Sequence, residues 1–190
     1  MKKTLENLTK AWLGECQARN RYTYYAKVAQ TEGYEQLAEL FLLTANQEKA
    51  HAKRLFRFIQ DLKENNDDLK TEAAIPTIFG NSIENLKAAI TGETYETEIM
   101  YPEFAKIAAE EGLNDIATHL KSIAIAERNH KEKYEIYLKN LENGEVFKRT
   151  SETTWVCREC GYTHTGLEAP KACPSCDHPQ AFYELRNINF

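Results

Sequence analysis

Hydrophobic residues recur at helical spacing along the first three quarters of the chain. They follow one another in alternating steps of three and four, as in the run Leu55, Phe58 and Leu62, so that each stretch turns one apolar face inward. Gly33 and Gly112 interrupt the pattern in the same local setting, which predicts a tight turn inside each of two helical hairpins. The predicted helices span roughly 3–31, 34–64, 82–110 and 113–142.

A longer connection separates the two hairpins. Residues 65–82 contain the turn-forming run Asn65-Asn66-Asp67-Asp68 together with Pro76 and Gly80. Ser82 with Glu84 and Asn85 nearby predicts the start of the third helix. Two short hairpins joined by one long crossover have the connectivity of a ferritin-like four-helix bundle. We therefore predict an all-α ferritin-like domain over residues 1–145.

The sequence changes character after Gly144. Residues 150–190 lack helical periodicity and are rich in cysteine, proline, threonine and aromatic residues, which predicts a second, smaller domain. Four of the five cysteines lie there as two Cys-x-x-Cys pairs, namely Cys157, Cys160, Cys173 and Cys176. This spacing is typical of a tetrahedral four-thiolate site, which would leave His164 and His178 outside the ligand set. Zinc and a single iron suit such ligands equally well.

The two halves of the bundle repeat one another. An offset of 79 residues relates several pairs of positions, among them Tyr22 with Tyr101, Glu48 with Glu127 and His51 with His130. Upstream the offset is 78, as between Glu15 and Glu93, so one extra residue lies between Glu93 and Tyr101. In a regular helix that residue would rotate Tyr101 away from the core by about 100°. We therefore predict one π-helical turn there, placed so that Glu96 faces the centre, and none in the first helix.

Six of the repeated residues occupy positions where leucine would be expected in an apolar stripe. They are Glu15, Glu48, Glu93, Glu127, His51 and His130. Four buried carboxylates repel one another and lose hydration, and bound cations would offset both costs. Glu on two helices with Glu-x-x-His on the other two is the ligand pattern of carboxylate-bridged di-iron proteins. Oxygen-rich ligation favours iron or manganese, and we expect Glu48 and Glu127 to bridge the two metals.

Spacing alone leaves four further residues ambiguous. Glu96 lies one turn after Glu93 without a counterpart in the first helix, so it is either an additional ligand or a solvated carboxylate. Tyr22 and Tyr101 lie about two turns past ligand glutamates, where they either donate hydrogen bonds to carboxylates or simply pack in the core. Cys16 is distant in sequence from the other cysteines and is expected to be a small buried residue.

Net charge and hydropathy exclude some classes of function. The net charge of −5 argues against a nucleic-acid-binding protein, which would need a basic face. No apolar run approaches the roughly 18 residues that span a bilayer, and the first residues lack the apolar core of a signal peptide. We therefore expect a cytoplasmic protein without nucleic-acid or membrane partners, in which the clustered cysteines bind metal rather than form disulfides.

Taken together, these motifs resemble the rubrerythrin family over essentially the whole chain. Cys16 stands where we expect Ser in many relatives, a departure without consequence for ligation. The resemblance implies that Glu96 is an iron ligand, that Tyr22 and Tyr101 hydrogen-bond to ligand carboxylates, and that the small domain is rubredoxin-like with one iron. The matching stretches are residues 14–22, 48–52, 92–96, 100–102 and 126–130 and the two cysteine pairs.

The resemblance also implies a function. The family reduces hydrogen peroxide to water in anaerobes and microaerophiles, at two carboxylate-bridged irons that the four-cysteine iron re-reduces. Electrons are expected from an NAD(P)H-dependent reductase, a separate rubredoxin or both. A homodimer or larger homo-oligomer is expected, with the rubredoxin-like domain of one subunit near the di-iron site of another. One iron is expected to move from Glu96 towards His51 on reduction.

Two other functions remain open at this stage. One is a ferroxidase or iron-storage protein that uses O₂, although such a protein has no use for an attached electron-return domain. The other is a non-catalytic scaffold of helices and a zinc ribbon, which buried carboxylates disfavour because they cost free energy without a bound cation.

Overall fold

A computed structural model describes residues 3–187 of the chain. Helix α1 spans Lys3–Thr31, α2 Glu35–Leu62 and α4 Asn114–Glu142. Helix α3 consists of three consecutive segments: α-helix over Ser82–Tyr95, π-helix over Glu96–Met100 and α-helix over Tyr101–Glu110. The predicted four-helix bundle is therefore confirmed. No helix among these residues is long and apolar enough to cross a membrane.

Each hairpin turns at the glycine that the sequence pattern indicated. Gly33 and Gly112 have φ angles of 83° and 78°, in the left-handed region that side chains rarely adopt. The residue after each glycine donates back across the turn, from Tyr34 N to Ala29 O at 2.9 Å and from Leu113 N to Ala108 O at 2.8 Å. This arrangement ends a helix within one turn, so the two hairpins have the same geometry as well as related sequences.

Helix α3 begins with a capping box. The Asn81 side chain accepts from Glu84 N at 3.0 Å, and the Glu84 carboxylate accepts from Asn81 N at 3.0 Å. The sequence placed the helix start at Ser82, which is the first helical residue, but the cap is the preceding Asn81. Asn81 is the residue whose extended backbone, with φ −73° and ψ 173°, directs its side chain at the exposed N–H groups.

The predicted π-helical turn is confirmed. Tyr101 N donates to Glu96 O, an i→i+5 bond, whereas α1 is α-helical throughout Lys3–Thr31. The extra residue is thus absorbed within Glu96–Met100, and Tyr101 stays fully buried. Pro102 lacks a backbone donor in the next turn, so the hydrogen-bond ladder is already weakened where the π turn occurs.

Two apolar clusters fill the bundle on either side of its middle. One packs Leu55, Tyr101 and Leu120, and the other packs Tyr22, Phe41 and Tyr134 with their neighbours. On α2 the glutamate and histidine of the Glu-x-x-His motif lie between Phe41 and Leu55, so the polar centre is enclosed by aromatic and aliphatic side chains from both ends.

The C-terminal region is a small antiparallel sheet of order β2-β1-β3. Its strands are β1 Lys148–Cys157, β2 Thr163–Glu168 and β3 Tyr183–Leu185. It packs against the start of α2 through Phe147, which stacks on Tyr34 at 6.1 Å between ring centroids. Arg158 extends this contact by pairing with both Glu39 on α2 and Glu184 on β3.

Candidate metal centres

Each helix of the bundle contributes one buried glutamate to the same interior region. Glu15, Glu48, Glu93 and Glu127 come from α1, α2, α3 and α4 and are at most 1% exposed. His51 and His130 follow Glu48 and Glu127 by three residues, which places each imidazole on the same helix face as its glutamate. The six repeated residues that the sequence singled out are therefore brought together.

These residues form two overlapping groups of donor atoms. Glu15, Glu48, His51 and Glu127 make up one, and Glu48, Glu93, Glu127 and His130 make up the other, with donors within 4.8 Å of one another in each. Glu48 and Glu127 belong to both groups. A carboxylate shared in this way offers one oxygen to each of two neighbouring cations, which is the geometry expected of a bridging ligand.

The two imidazoles contact different oxygens of the shared carboxylates. His51 Nδ1 lies 2.9 Å from a Glu127 oxygen and 3.1 Å from a Glu48 oxygen. His130 Nδ1 lies 2.7 Å from a Glu127 oxygen and 3.3 Å from a Glu48 oxygen. Each ring thus presents the same nitrogen to the centre, as the internal repeat requires.

Within this carboxylate–histidine cluster, the pKa shifts of the glutamates and histidines reduce the net negative charge. Burial raises the pKa of Glu15 well above its ordinary range and that of Glu93 to about 8. Burial acts the same way on Glu48, but contacts with His130 and His51 outweigh it and lower the pKa of Glu48 to about 2. Burial tends to lower the pKa of His130, yet the surrounding carboxylates raise it to about 12. Without cations, protons must supply the missing positive charge.

Several buried atoms of the cluster lie at ion-pair distance from one another but form no well-directed hydrogen bond among the described residues. They are Glu48 Oε1, Glu93 Oε2, both Glu127 carboxylate oxygens and His130 Nδ1. Buried polar atoms without partners are costly, and here they all point at the same interior point. Two cations coordinated by these atoms would satisfy them together, so the donor set fits a pair of metal ions.

Glu96 lies at the edge of the cluster rather than inside either donor group. Burial and the neighbouring Glu93 and Glu15 carboxylates raise its pKa well above the ordinary value. One of its oxygens lies 3.9 Å from where a Cβ on Gly14 would be, so the carboxylate rests beside α1 next to Glu15. The π turn therefore directs Glu96 towards the cluster.

Two tyrosines hydrogen-bond to glutamates of the cluster, each to the glutamate from the other half of the bundle. The Tyr22 hydroxyl on α1 donates to Glu93 on α3, and the Tyr101 hydroxyl on α3 donates to Glu15 on α1. Both tyrosines are at most 1% exposed, and burial raises the pKa of each well above its usual value, so both hydroxyls stay protonated. Each tyrosine fixes the orientation of the glutamate contributed by the other half of the bundle.

Replacing Tyr101 by Phe should test this bracing. The ring volume is preserved while the hydroxyl is lost, so we expect the variant to fold and bind metal. Its metal-free form should lose about 1–3 kcal/mol of unfolding free energy, because the buried Glu15 oxygen loses its donor. Denaturant unfolding measures this loss. Tyr24→Phe is the matched control, since Tyr24 is 57% exposed, and an equal loss in both variants would contradict the bracing role.

One polar contact to the cluster could not be predicted from the sequence. Gln47 Oε1 lies 3.0 Å from His130 Nε2, on the side of the ring that faces away from the carboxylates. Comparison of the two halves does not identify Gln47, because the corresponding position in the second half is Ala126. The only available signal was its place immediately before the Glu-x-x-His motif.

The second candidate centre lies in the small sheet domain. The sulfurs of Cys160 and Cys173 are 3.6 Å apart and those of Cys157 and Cys176 are 3.8 Å apart. All four Sγ atoms lie within 4.8 Å of one another, close enough to ligate one ion. This four-cysteine site joins the two predicted Cys-x-x-Cys pairs.

Both pairs sit on tight turns of the same kind. Gly161 N donates to Cys157 O at 2.8 Å, and Asp177 N donates to Cys173 O at 2.9 Å. Gly161 and Asp177 both have positive φ, 77° and 61°, which closes each turn around its sulfurs. Desolvation works against ionisation of Cys173, but the Tyr183 hydroxyl and the amides of Ser175 and Cys176 lower its pKa to about 6. A thiolate is the form that binds metal.

The remaining candidate residues lie outside both centres. His178 Nδ1 contacts Cys176 O at 3.2 Å and its ring packs on Phe182, and neither His178 nor His164 belongs to the four-cysteine group. Cys16 is half-buried on α1 beside Glu15, and burial raises the pKa of its thiol.

Comparison with known proteins agrees with this architecture. The family profile described as rubrerythrin matches residues 6–138, and the profile of the rubrerythrin rubredoxin-like domain matches residues 155–184. A putative rubrerythrin of Methanocaldococcus jannaschii is 52% identical over 98% of this chain and 94% of its own. The rubrerythrin of Nitratidesulfovibrio vulgaris is 44% identical over 99% of this chain and 96% of its own.

A solved structure shares the whole fold. The fully reduced, all-ferrous state of nigerythrin aligns with a TM-score of 0.65 and 34% identity, covering 98% of this chain and 88% of that one. With the donor sets described above, these relationships identify the cofactors as two irons in the carboxylate–histidine cluster and one iron in the rubredoxin-like site. The chain therefore belongs to the rubrerythrin family.

Proposed function

We propose that this protein is a peroxidase that reduces hydrogen peroxide to water, with electrons relayed by the four-cysteine iron. The observation that carries the proposal is the presence of two different metal centres in one chain: a carboxylate–histidine cluster and a four-thiolate site. We assign the bundle to residues 1–145 and the rubredoxin-like domain to residues 150–190. The first would hold the reacting centre, and the second would supply its electrons.

The ligand roles follow from the donor groups. We assign Glu15 and His51 to one iron, Glu93 and His130 to the other, and Glu48 and Glu127 as bridges. The four cysteines hold the third iron. When bound, the iron pair supplies the two electrons that cleave the O–O bond, and the thiolate-bound iron carries single electrons.

The chain's own residues prepare the site for this chemistry. The enclosing aromatic and aliphatic clusters exclude bulk water from the carboxylates, which strengthens every electrostatic interaction there. Tyr22 and Tyr101 hold protons within hydrogen-bonding reach of Glu93 and Glu15. Reduction of peroxide to two waters consumes protons, and these hydroxyl–carboxylate pairs are placed to deliver them.

The choice between peroxide and O₂ separates this proposal from a ferroxidase. The fully reduced, iron-loaded protein should be mixed anaerobically with equal concentrations of either oxidant, and oxidation of the bundle iron followed optically. We expect peroxide to react much faster than O₂. Faster oxidation by O₂, with iron retained as a mineral product, would instead favour iron storage. A non-catalytic zinc-ribbon scaffold predicts zinc in the four-cysteine site and no reaction with either oxidant.

The iron held by Glu15 should change ligands with oxidation state. A carboxylate suits Fe(III) and a neutral imidazole suits Fe(II), so we expect Glu96 to bind this iron in the oxidised protein and His51 to bind it in the reduced protein. His51 lies inside the donor group of this position, and Glu96 lies at its edge beside α1. Crystal structures in both states test this, and identical ligands in the two would rule it out.

The electron path is proposed to run between subunits. Arg158 lies between Cys157 and Cys160 and pairs with Glu39, which precedes Glu48 by nine residues on α2. That interval corresponds to about 14 Å along the helix axis, so within one chain the two centres are well separated. We therefore propose a homodimer or larger homo-oligomer in which a partner's rubredoxin-like domain approaches the cluster. A rubredoxin, an NAD(P)H-dependent reductase or both would supply the electrons.

A further inference from the structure

The two tyrosines that hydrogen-bond to the cluster differ in what surrounds their rings. The Tyr22 ring lies 5.6 Å from that of Tyr134 and 5.9 Å from that of Phe41, measured between centroids. By the offset of 79 residues, the positions that correspond to these two neighbours are Leu55 and Leu120. Both leucines pack with the counterpart of Tyr22 in the other apolar cluster. One tyrosine is therefore surrounded by aromatic rings and its counterpart by aliphatic side chains.

The rings continue from Tyr22 towards the sheet domain. Tyr134 is followed on α4 by Tyr137, three residues later on the same helix face, and both are buried. Tyr34, immediately before α2, packs against the same apolar cluster and stacks on Phe147 at 6.1 Å between centroids. Phe147 packs against the core of the sheet domain, which contains two of the four cysteines. We call these five residues the aromatic series, and it leads from a ligand glutamate to the four-cysteine site.

Packing alone does not account for the hydroxyl groups of the aromatic series. The Tyr134 and Tyr137 hydroxyl oxygens are buried and form no well-directed hydrogen bond within residues 3–187. A buried hydroxyl without such a bond costs free energy, whereas phenylalanine would fill nearly the same volume without that cost. Phenol rings, however, give up an electron far more readily than phenyl rings. The series therefore has the composition of a path for single electrons.

The electron count of the proposed reaction creates a need for such a path. Each peroxide takes up two electrons, but the three irons of one chain hold three when all are reduced. After one turnover, only the electron of the four-cysteine iron remains. Once that electron has passed to the bundle, the next peroxide meets an iron pair that is one electron short. An electron source beside the cluster would complete this second reduction.

We propose that Tyr22 supplies the missing electron and that the aromatic series replaces it from the four-cysteine side. The inference rests on the proposed peroxidase function and deepens it. The Tyr22 hydroxyl donates to Glu93, so its proton has an acceptor when the electron leaves. The remaining ferrous iron gives one electron, Tyr22 gives one electron and one proton, and solvent gives one proton. H₂O₂ then becomes two waters and Tyr22 a neutral tyrosyl radical, which an electron from the re-reduced four-cysteine iron and a proton restore.

Freeze-quench EPR detects this radical directly. The anaerobic, fully reduced holoprotein is mixed with two equivalents of hydrogen peroxide per chain and frozen at successive times. We expect a tyrosyl signal to appear after the bundle irons have oxidised. Production of the protein with ring-deuterated tyrosine should remove the ring-proton splitting of that signal. If no tyrosyl signal forms although the irons oxidise, the proposal is wrong.

Tyr22→Phe should abolish the signal, and Tyr101→Phe is the matched control. Each variant loses one hydroxyl that donates to a ligand glutamate, but the ring neighbours of Tyr22 are replaced by leucines around Tyr101. We expect Tyr101→Phe to keep the radical, with iron analysis showing that both variants are loaded. A signal that persists in Tyr22→Phe, or that is lost equally in both variants, would overturn the role of Tyr22.

Tyr34→Leu tests the return of the electron through the aromatic series. Leu113 occupies the corresponding position in the other half, in a turn of the same geometry, so leucine suits the local backbone. The radical should form in this variant as in the unmodified protein. After a second mix with dithionite, which reaches the four-cysteine iron at the exposed Cys160, it should decay several-fold more slowly. An unchanged decay would overturn the series as the return path.

The same samples separate this inference from the proposed function. If peroxide fails to oxidise the bundle irons, the proposed function is refuted, and the inference with it. If those irons oxidise rapidly and no tyrosyl signal appears, the inference alone is refuted and peroxide reduction at the cluster stands.

Discussion

Replacing Glu127 by Ala should abolish iron binding in the bundle while leaving the four-cysteine iron in place. Glu127 belongs to both donor groups, and neither of its oxygens forms a well-directed hydrogen bond among the described residues, so its loss removes a ligand from each metal at once. Iron content should fall from three ions per chain to one. The visible absorption of the thiolate-bound iron should be unchanged, because Glu127 lies in the bundle and the cysteines lie in the sheet domain.

The same variant should remain folded. Removing Glu127 relieves its repulsion with the other three carboxylates, but it also removes the ion-pair partner of both imidazoles, so the metal-free variant should keep its helical fold with a lower thermal stability than the metal-free parent. Glu132→Ala is the matched control, because Glu132 lies on the same helix but is exposed. Elemental analysis measures the iron content of each variant, and far-UV circular dichroism measures whether its helices are retained. Full iron occupancy in Glu127→Ala would contradict the assignment of the cluster.

Replacing Cys160 by Ala should unfold the small domain and stop sustained turnover. The Cys160 side chain is exposed, so its removal costs little packing, and the effect should come from the lost ligand. The core of this domain consists of few buried residues, such as Trp155, Cys173 and Tyr183, too few to stabilise it alone. Structural zinc in small zinc-finger peptides contributes about 10–16 kcal/mol of apparent binding free energy, and we expect the four-cysteine iron likewise to stabilise this domain.

Kinetics should separate the two centres in this variant. A single oxidation of the pre-reduced bundle by peroxide should still occur, whereas continuous peroxide consumption with an NAD(P)H-linked electron donor should fall to background. Ser175→Ala is the matched control, because it changes an exposed residue of the other cysteine pair without removing a ligand. Unimpaired steady-state turnover in Cys160→Ala would show that electrons reach the bundle without the four-cysteine iron.

Much of the bundle could be predicted because its two halves repeat. The positions of Glu48 and Glu127 within apolar stripes indicated the cluster, and the unequal offsets around Glu93 and Tyr101 indicated the π turn. Both predictions concern side chains that must point into the interior of the bundle. The spacing of residues along a helix indicates which side chains do so.

Features that differ between the two halves, or that depend on tertiary contacts, could not be predicted from the sequence. Gln47 has Ala126 as its counterpart, so comparing the halves passed over it. The predicted start of α3 at Ser82 is correct, but Asn81 and Ser82 are both good capping residues, and only the backbone conformation shows that Asn81 is the cap. The pairing of Arg158 with Glu39 joins residues 119 positions apart, and no local pattern reports such a contact.

The relay of electrons from one centre to the other is most directly tested by rapid mixing of the fully reduced protein with excess hydrogen peroxide under anaerobic conditions. The bundle irons and the four-cysteine iron absorb differently and can be followed in the same experiment. We predict that the bundle irons oxidise first and that the four-cysteine iron then oxidises as its electron passes to them. A four-cysteine iron that stays reduced while peroxide remains in excess would contradict the relay.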